Sequence, residues 1–195
     1  MKQEFTITAY TENQVGLLNR IAILFSKRKV NIDSLNTSPT EIPDIFRFNI
    51  VVLESEETVQ KIVRQIEKQV DVLKAYYHDN EGIVWQEMAL YKVPTKEIAE
   101  RVKVERLLRE LGARAVLIRH DYLVFEVTGH REETQRVVEF FEPIGLIEFV
   151  RSARVAIIKE SRSFHERLLE FEKADPGEAL HTNEHLDENK TVFSM

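Results

Sequence analysis

The chain contains no cysteine. That rules out a disulfide framework, a thiolate metal site and a cysteine nucleophile, and it fits a reducing compartment. No apolar run approaches the roughly 20 residues of a membrane-spanning helix. The opening residues, MKQEFTITAYTEN, carry charge early and lack the apolar stretch of a secretory signal. A soluble, cytoplasmic protein is expected, with no membrane contact. No glycine-rich phosphate loop follows a strand pattern and no GxSxG elbow occurs, so two common catalytic frameworks are missing. A basic surface is missing too. Lys and Arg against Asp and Glu number 10 against 11 over residues 1–79, 13 against 13 over 80–159, and 4 against 9 over 160–195. The net charge of −6 therefore sits almost wholly in the last segment. A nucleic-acid binder needs cations to displace counterions from phosphate, and this balance argues against one. The carboxylates of the body lie among Lys and Arg at helical offsets, as with Glu100, Lys103 and Arg106, and read as solvated faces. His181 and His185 are four apart, but HTNEH lacks the glutamate that follows the first histidine in a zinc-protease helix, and Pro176-Gly177 lies just upstream. No metal site is expected.

What the chain does have is concentrated between Tyr10 and Glu41. An alternating strand (Phe5, Ile7, Ala9) runs into the polar loop Thr11-Glu12-Asn13-Gln14, then Val15-Gly16, then a helix. The apolar positions Leu18, Ile21, Ala22 and Phe25 are spaced i, i+3, i+4, i+7, one stripe of an amphipathic helix. Lys27, Arg28 and Lys29 close it, where cations suit the negative end of the helix dipole. A helix start leaves backbone N–H groups without partners and carries partial positive charge, so a carboxylate can settle there. Gly16 lets the backbone approach a ligand or adopt positive φ, and the Asn13 amide offers donors and an acceptor. The same residues have a plainer reading, in which Asn13 caps the helix and Gly16 only turns it.

This block, ENQVGLLNRIAILFSKRKVNIDSL followed by Ser38-Pro39-Thr40-Glu41, resembles the ACT domain, and in particular the regulatory small subunits of acetolactate synthase (acetohydroxyacid synthase). Val70–Lys74, Gln86–Val93 and Phe149–Ser152 are similar to later parts of that family, so the resemblance spans roughly Met1 to Glu160. It implies a non-catalytic subunit that binds valine or another branched-chain amino acid at the interface of two paired ACT domains. It places Asn13 and Gly16 on one protomer and Asn31 on the other, with Gln14, Val15, Leu17, Leu18 and Ile32 as neighbours in the pocket. It further implies a separate large catalytic subunit that carries thiamine diphosphate, magnesium and FAD, is stimulated by the small subunit and becomes sensitive to the amino acid through it.

The element pattern agrees with an α+β chain of two ferredoxin-like βαββαβ domains and a polar tail. In residues 1–79, the ACT domain, a strand over Asn31–Ser38 precedes a turn around Ile42-Pro43-Asp44. A strand over Phe46–Leu53 follows, with Phe46, Phe48, Ile50 and Val52 on one face. Ser55 is placed to cap a second helix whose stripe is Val59, Ile62, Val63 and Ile66, and Val70–His78 supplies the last strand. The polar run Asp79-Asn80-Glu81-Gly82 marks the junction. Residues 83–159 repeat the order more loosely. A strand over Val84–Val93 leads to a helix capped by Thr95 and carrying Val104, Leu107, Leu108 and Leu111, then a hairpin across His120-Asp121. A helix over Glu132–Phe141 and a single strand over Ile147–Ile158 complete it. Its strand-to-helix crossing, Pro94-Thr95-Lys96-Glu97, has no glycine, so only the first half is expected to hold an effector. Residues 160–195 begin as a helix with Phe164, Leu168, Leu169 and Phe171 and then lose periodicity. Two other functions fit parts of this pattern: a stand-alone ACT sensor acting on another enzyme or a transcription factor, and an RNA-binding sheet of the same strand order. The second lacks the aromatic interleaving that base stacking needs.

Overall fold

The computed structural model describes residues 1–99, 110 and 112–160. Met1–Glu160 form one compact unit built on two antiparallel sheets. The first half runs β1 (Gln3–Glu12), α1 (Leu17–Lys27), β2 (Ser34–Pro39), β3 (Ile45–Glu54), α2 (Glu56–Ile66) and β4 (Val72–Asp79). Its strands lie in the order β2-β3-β1-β4, so β1 and β3 are central and β2 and β4 are edges. Alternation decides which side chains go in. Phe5, Ile7 and Ala9 of β1 meet Phe48, Ile50 and Val52 of β3 in one buried cluster with Ile21, Phe25, Val59, Ile62, Val63 and Ile66 of the helices. The stripe of α2 and its cap are as the spacing requires: the Thr58 N–H donates to Ser55 Oγ (3.4 Å), and Glu56 and Glu57 occupy the first turn.

The face of α1 is rotated from the expected one. Leu17, Ile21 and Phe25 are its buried residues, with Leu24 packed alongside, while Leu18 is 44% exposed. The helix ends in a Schellman turn: the Lys29 N–H donates to the Ser26 carbonyl (3.0 Å) and the Val30 N–H to that of Phe25 (3.1 Å), with Lys29 at φ 56°. The sheet face opposite the helices is not open as an RNA platform requires. Thr6, Thr8, Asn49 and Val51 at its centre are buried, and Thr8 Oγ1 donates to Asn49 Oδ1 (3.1 Å).

The second half runs β5 (Ile83–Pro94), α3 (Thr95–Ala99), β6 (Arg114–Ile118), β7 (Tyr122–Gly129), α4 (Arg131–Phe141), β8 (Glu148–Arg151) and β9 (Val155–Ile158). The strand order is β6-β7-β5-β8, with β9 also on β5. The expected single last strand is thus broken at Ser152-Ala153-Arg154, and its pieces pair with successive lengths of β5. At the break the Met88 N–H donates to Ser152 Oγ (2.9 Å) in place of a ladder bond. Thr95 does not cap its helix. It is the first helical residue; its hydroxyl donates to the Arg119 carbonyl (3.0 Å) and its N–H to that of Asp121 (3.1 Å). Ala89, Tyr91, Val93, Leu123, Phe125, Val127, Val137, Phe141 and Ile144 form the second core. On the outer face of this sheet Val84, Met88, Val150, Val155 and Ile157 are exposed and aliphatic, and the Tyr122 ring on that face is half-buried with Lys92 Nζ 4.4 Å from its centroid. The expected helix residues Val104, Leu107, Leu108 and Leu111, the charged positions Glu100, Lys103 and Arg106, and the whole tail with Phe164–Phe171, His181 and His185 lie outside the described residues.

Tyr91 sets a pH limit on stability. Its side chain is fully buried and its hydroxyl donates to the Thr134 carbonyl (2.7 Å). Burial pushes the phenol from 10.0 up to about 12, against a smaller opposing pull from Arg151. The folded pKa lies above the unfolded one, so the stabilisation is complete below pH 10 and is lost as pH rises from 10 to about 12. Urea unfolding across that window is expected to show about 2–3 kcal/mol more loss for the wild type than for Tyr91→Phe, in which this titration is absent. Parallel losses in the two chains would show that Tyr91 titrates normally.

Candidate functional site

The loop between β1 and α1 is pinned by backbone and then left open. The Glu12 N–H donates to the Asp71 carbonyl (2.9 Å) and the Asn13 N–H to that of Asp44 (3.0 Å), so both neighbouring turns hold it. The Leu17 N–H reaches back to Gln14 (3.3 Å), and the first bond within the helix runs from the Arg20 N–H to the Gly16 carbonyl (3.1 Å). Among the described residues, the first-turn N–H groups of Leu18 and Asn19 therefore have no backbone acceptor. Gly16 is the N-cap, at φ 84°, with no side-chain cap bond, so Asn13 does not cap the helix. A Cβ on Gly16 would meet nothing within 4 Å, so the space in front of this turn is free.

The other long helices treat their starts differently. Ser55 caps α2. At α4 Glu133 Oε2 accepts from the His130 N–H (2.7 Å), and Glu132 and Glu133 fill the first turn. The first turn of α1 holds Leu17, Leu18 and Asn19, with no acidic residue. Its positive end has no counter-charge from its own first turn. Nearby, the Arg20 guanidinium is paired with the Asp71 carboxylate through Nη2.

Asn13, Gln14, Val15 and Gly16 are all exposed, Val15 completely. Leu17 is 2% exposed and belongs to the core, while Leu18 shows its side chain to solvent. Ile32 is half-buried against the core and Asn31 is exposed. One chain does not bring these groups together. β1 and β2 both pair antiparallel with β3 and so run parallel to each other. Glu12 lies opposite Ile45 at the end where β2 finishes, with Pro39 opposite Phe46. Asn31 precedes Ser34 at the other end, roughly 20 Å away along β2. Sequence spacing concealed this separation, and it also concealed the Arg20–Asp71 pair.

Two family models divide the chain between them. One, described as the AHAS small subunit-like ACT domain, matches residues 7–74, and the other, described as the small subunit of acetolactate synthase, matches residues 86–160. The chain is 34% identical over 160 residues to the acetolactate synthase small subunit of Bacillus subtilis, covering 82% of this chain and 91% of the relative. It is 30% identical over 159 residues to a probable acetolactate synthase small subunit of Archaeoglobus fulgidus, covering 80% of this chain and 98% of the relative. This chain belongs to the acetolactate synthase small-subunit family. The crystal structure of the acetolactate synthase small subunit from Thermotoga maritima superposes with a TM-score of 0.73 at 25% identity, covering 82% of this chain and 99% of that one. The family's fold, two βαββαβ halves of ACT type, is the fold described above. No helix among the described residues is long and apolar enough to cross a membrane.

Proposed function

We propose that this chain binds valine or another branched-chain amino acid at a two-fold seam between two of its ACT-type halves, stimulates a large catalytic subunit and makes it sensitive to that amino acid. The observation that carries the reading is the start of α1, left without cap or acid in a chain of this family. The edge of β2 supplies the rest. A strand with a free edge pairs readily with another chain, and antiparallel pairing of β2 with its own copy is isologous. It also reverses direction across the seam. The partner's β2 then begins where this chain's β2 ends, and the two ends that one chain holds apart come together. A carboxylate at the Leu18 and Asn19 N–H groups would lie beside Asn13 and face Asn31 from the second copy. Val15 and Leu18, three apart and exposed, would wall the aliphatic side chain with Ile32 from across the seam. Leu17 would support that wall from the core.

On this reading the carboligation itself, with thiamine diphosphate, magnesium and FAD, belongs to the large subunit. The match over residues 86–160 speaks for that partner and against a free-standing sensor. The test is calorimetric titration of the full chain with valine, leucine and isoleucine, with and without the large subunit. Saturable binding of one of them at one site per chain, with stimulation and inhibition of the large subunit, is the expected result. No heat with any of the three, in a folded dimer, would end the proposal.

A further inference from the structure

A buried polar cluster, in which Arg154 Nε alone among the guanidinium nitrogens has no partner, lies far from the α1 loop. Arg154, in the break between β8 and β9, is 2% exposed. Its Nη1 donates to Thr6 Oγ1 (3.0 Å) and Asn80 Oδ1 (3.0 Å), and its Nη2 donates to Glu4 Oε1. Asn80 Nδ2 donates to the same Glu4 oxygen (3.1 Å), which closes a ring of three residues. The guanidinium carbon lies 3.6 Å from the centroid of Trp85, and Trp85 stacks on His130, the N-cap of α4 (4.2 Å). Every hydrogen-bond partner of Arg154 thus comes from the first sheet or the turn after it, while its aromatic partner comes from the second.

The two halves are otherwise built on separate apolar clusters, with no described residue common to both. Where an inter-domain contact is polar and not a shared apolar core, relative motion is the ordinary expectation. A buried guanidinium gives up its hydration and recovers it only if each bond is well made, so such contacts sit near balance. The planar fork that reaches Thr6, Asn80 and Glu4 while lying on Trp85 is available to arginine and not to lysine. The cluster also holds one end of β1. Glu4 and Thr6 lie near its start, and Glu12 at its far end leads into the α1 loop, roughly 26 Å along a strand paired on both sides.

We propose that Arg154 is a positioning residue that carries the amino-acid response from the ACT-type half to the second half by fixing their relative orientation. The inference rests on the regulatory reading above. It requires that binding and transmission separate when the clamp is cut. A merely structural residue would lower stability, binding, stimulation and inhibition together.

The test uses the full chain with its large subunit and valine as the probe, in wild type, Arg154→Met, Arg154→Lys and Asn80→Ala. In Arg154→Met, valine binding by calorimetry should stay within about threefold and stimulation should persist, while the inhibition midpoint rises at least about tenfold. Arg154→Lys, which keeps the charge without the fork, should recover only part of that shift. Asn80→Ala lies on an exposed turn and leaves the guanidinium in place, so it tests the same bridge if Arg154→Met does not fold. It should raise the midpoint by about threefold or more with unchanged binding. A folded Arg154→Met or Asn80→Ala inhibited like wild type overturns the proposal alone, and so does loss of binding in parallel with inhibition. A wild-type chain that binds none of valine, leucine and isoleucine overturns it together with the reading on which it rests.

Discussion

Replacing Gly16 with aspartate is expected to weaken valine binding by at least about tenfold while leaving the fold and the stimulation of the large subunit in place. Two physical effects act, and their sizes differ. Gly16 sits at φ 84°, where a Cβ costs roughly 1–2 kcal/mol, less for Asp and Asn than for other residues. The Cβ itself meets no neighbour, so no clash adds to that. A carboxylate at the positive end of α1 recovers about 0.3–1 kcal/mol. The net change in stability should therefore be about 1 kcal/mol, a small shift in a urea midpoint. The ligand's loss is larger. Two carboxylates about 4 Å apart repel by about 4 kcal/mol at an effective dielectric of about 20, and the aspartate takes the acceptor position on the Leu18 and Asn19 N–H groups. That is on the order of a thousandfold in Kd before solvent screening and at least tenfold after it.

Gly16→Asn separates charge from backbone. It bears the same φ and a side chain of the same size with no charge, so it should bind valine more weakly than wild type and clearly more tightly than Gly16→Asp. Calorimetry on the three chains, with urea unfolding as the control for folding, reads both comparisons. Unchanged affinity in a folded Gly16→Asp would move the ligand away from the start of α1.

How far the residues alone disclosed this arrangement depends on the range of each interaction. The strands of the first sheet were legible because alternation is local: Phe48, Ile50 and Val52 fall on the core face as the period of two requires. The cap and stripe of α2 were legible for the same reason. The face of α1 was not, because Leu17 and Leu18 are both apolar and each begins an acceptable helical stripe. The left-handed turn at Gly16 sets the helix rotation, and it puts Leu17 inward. The lack of acid in the first turn of α1 is visible in the sequence, but it acquires meaning only beside the capped starts of α2 and α4. The break at Ser152–Arg154 had no local signal. Val150, Arg151, Val155 and Ile157 continue a strand-like pattern, and the residues that draw Arg154 out of it, Glu4 and Thr6, lie about 150 positions earlier.

The second large effect is expected at the edge of β2, from Thr37→Pro. The backbone bond from the Thr40 N–H to the Ile45 carbonyl (2.8 Å) fixes the parity of the β2–β3 ladder. With Thr40 opposite Ile45, positions 38, 36 and 34 direct their N–H groups toward β3, and 39, 37 and 35 direct theirs to the free edge. Pro39 already stands at one of these outward positions, where it has no ladder bond to lose. Proline at 37 would likewise spare the β2–β3 ladder. It would remove an outward donor at the middle of the edge and place a ring where the second copy's strand must lie. The chain should therefore fold with a stability change within about 1 kcal/mol, because no internal hydrogen bond is lost. The dimer should weaken by at least about tenfold, since each edge donor is used twice across a two-fold axis. Valine affinity should fall with it, because in the proposed seam Asn31 and Ile32 reach the α1 loop only from the second copy. Thr37→Ala keeps the N–H and should remain dimeric and bind normally. Sedimentation velocity across a concentration series, with calorimetry on the same samples, reads assembly and binding together. A Thr37→Pro dimer that persists at wild-type concentrations would place the seam on another edge, and a monomer that binds valine at full strength would place the whole pocket within one chain.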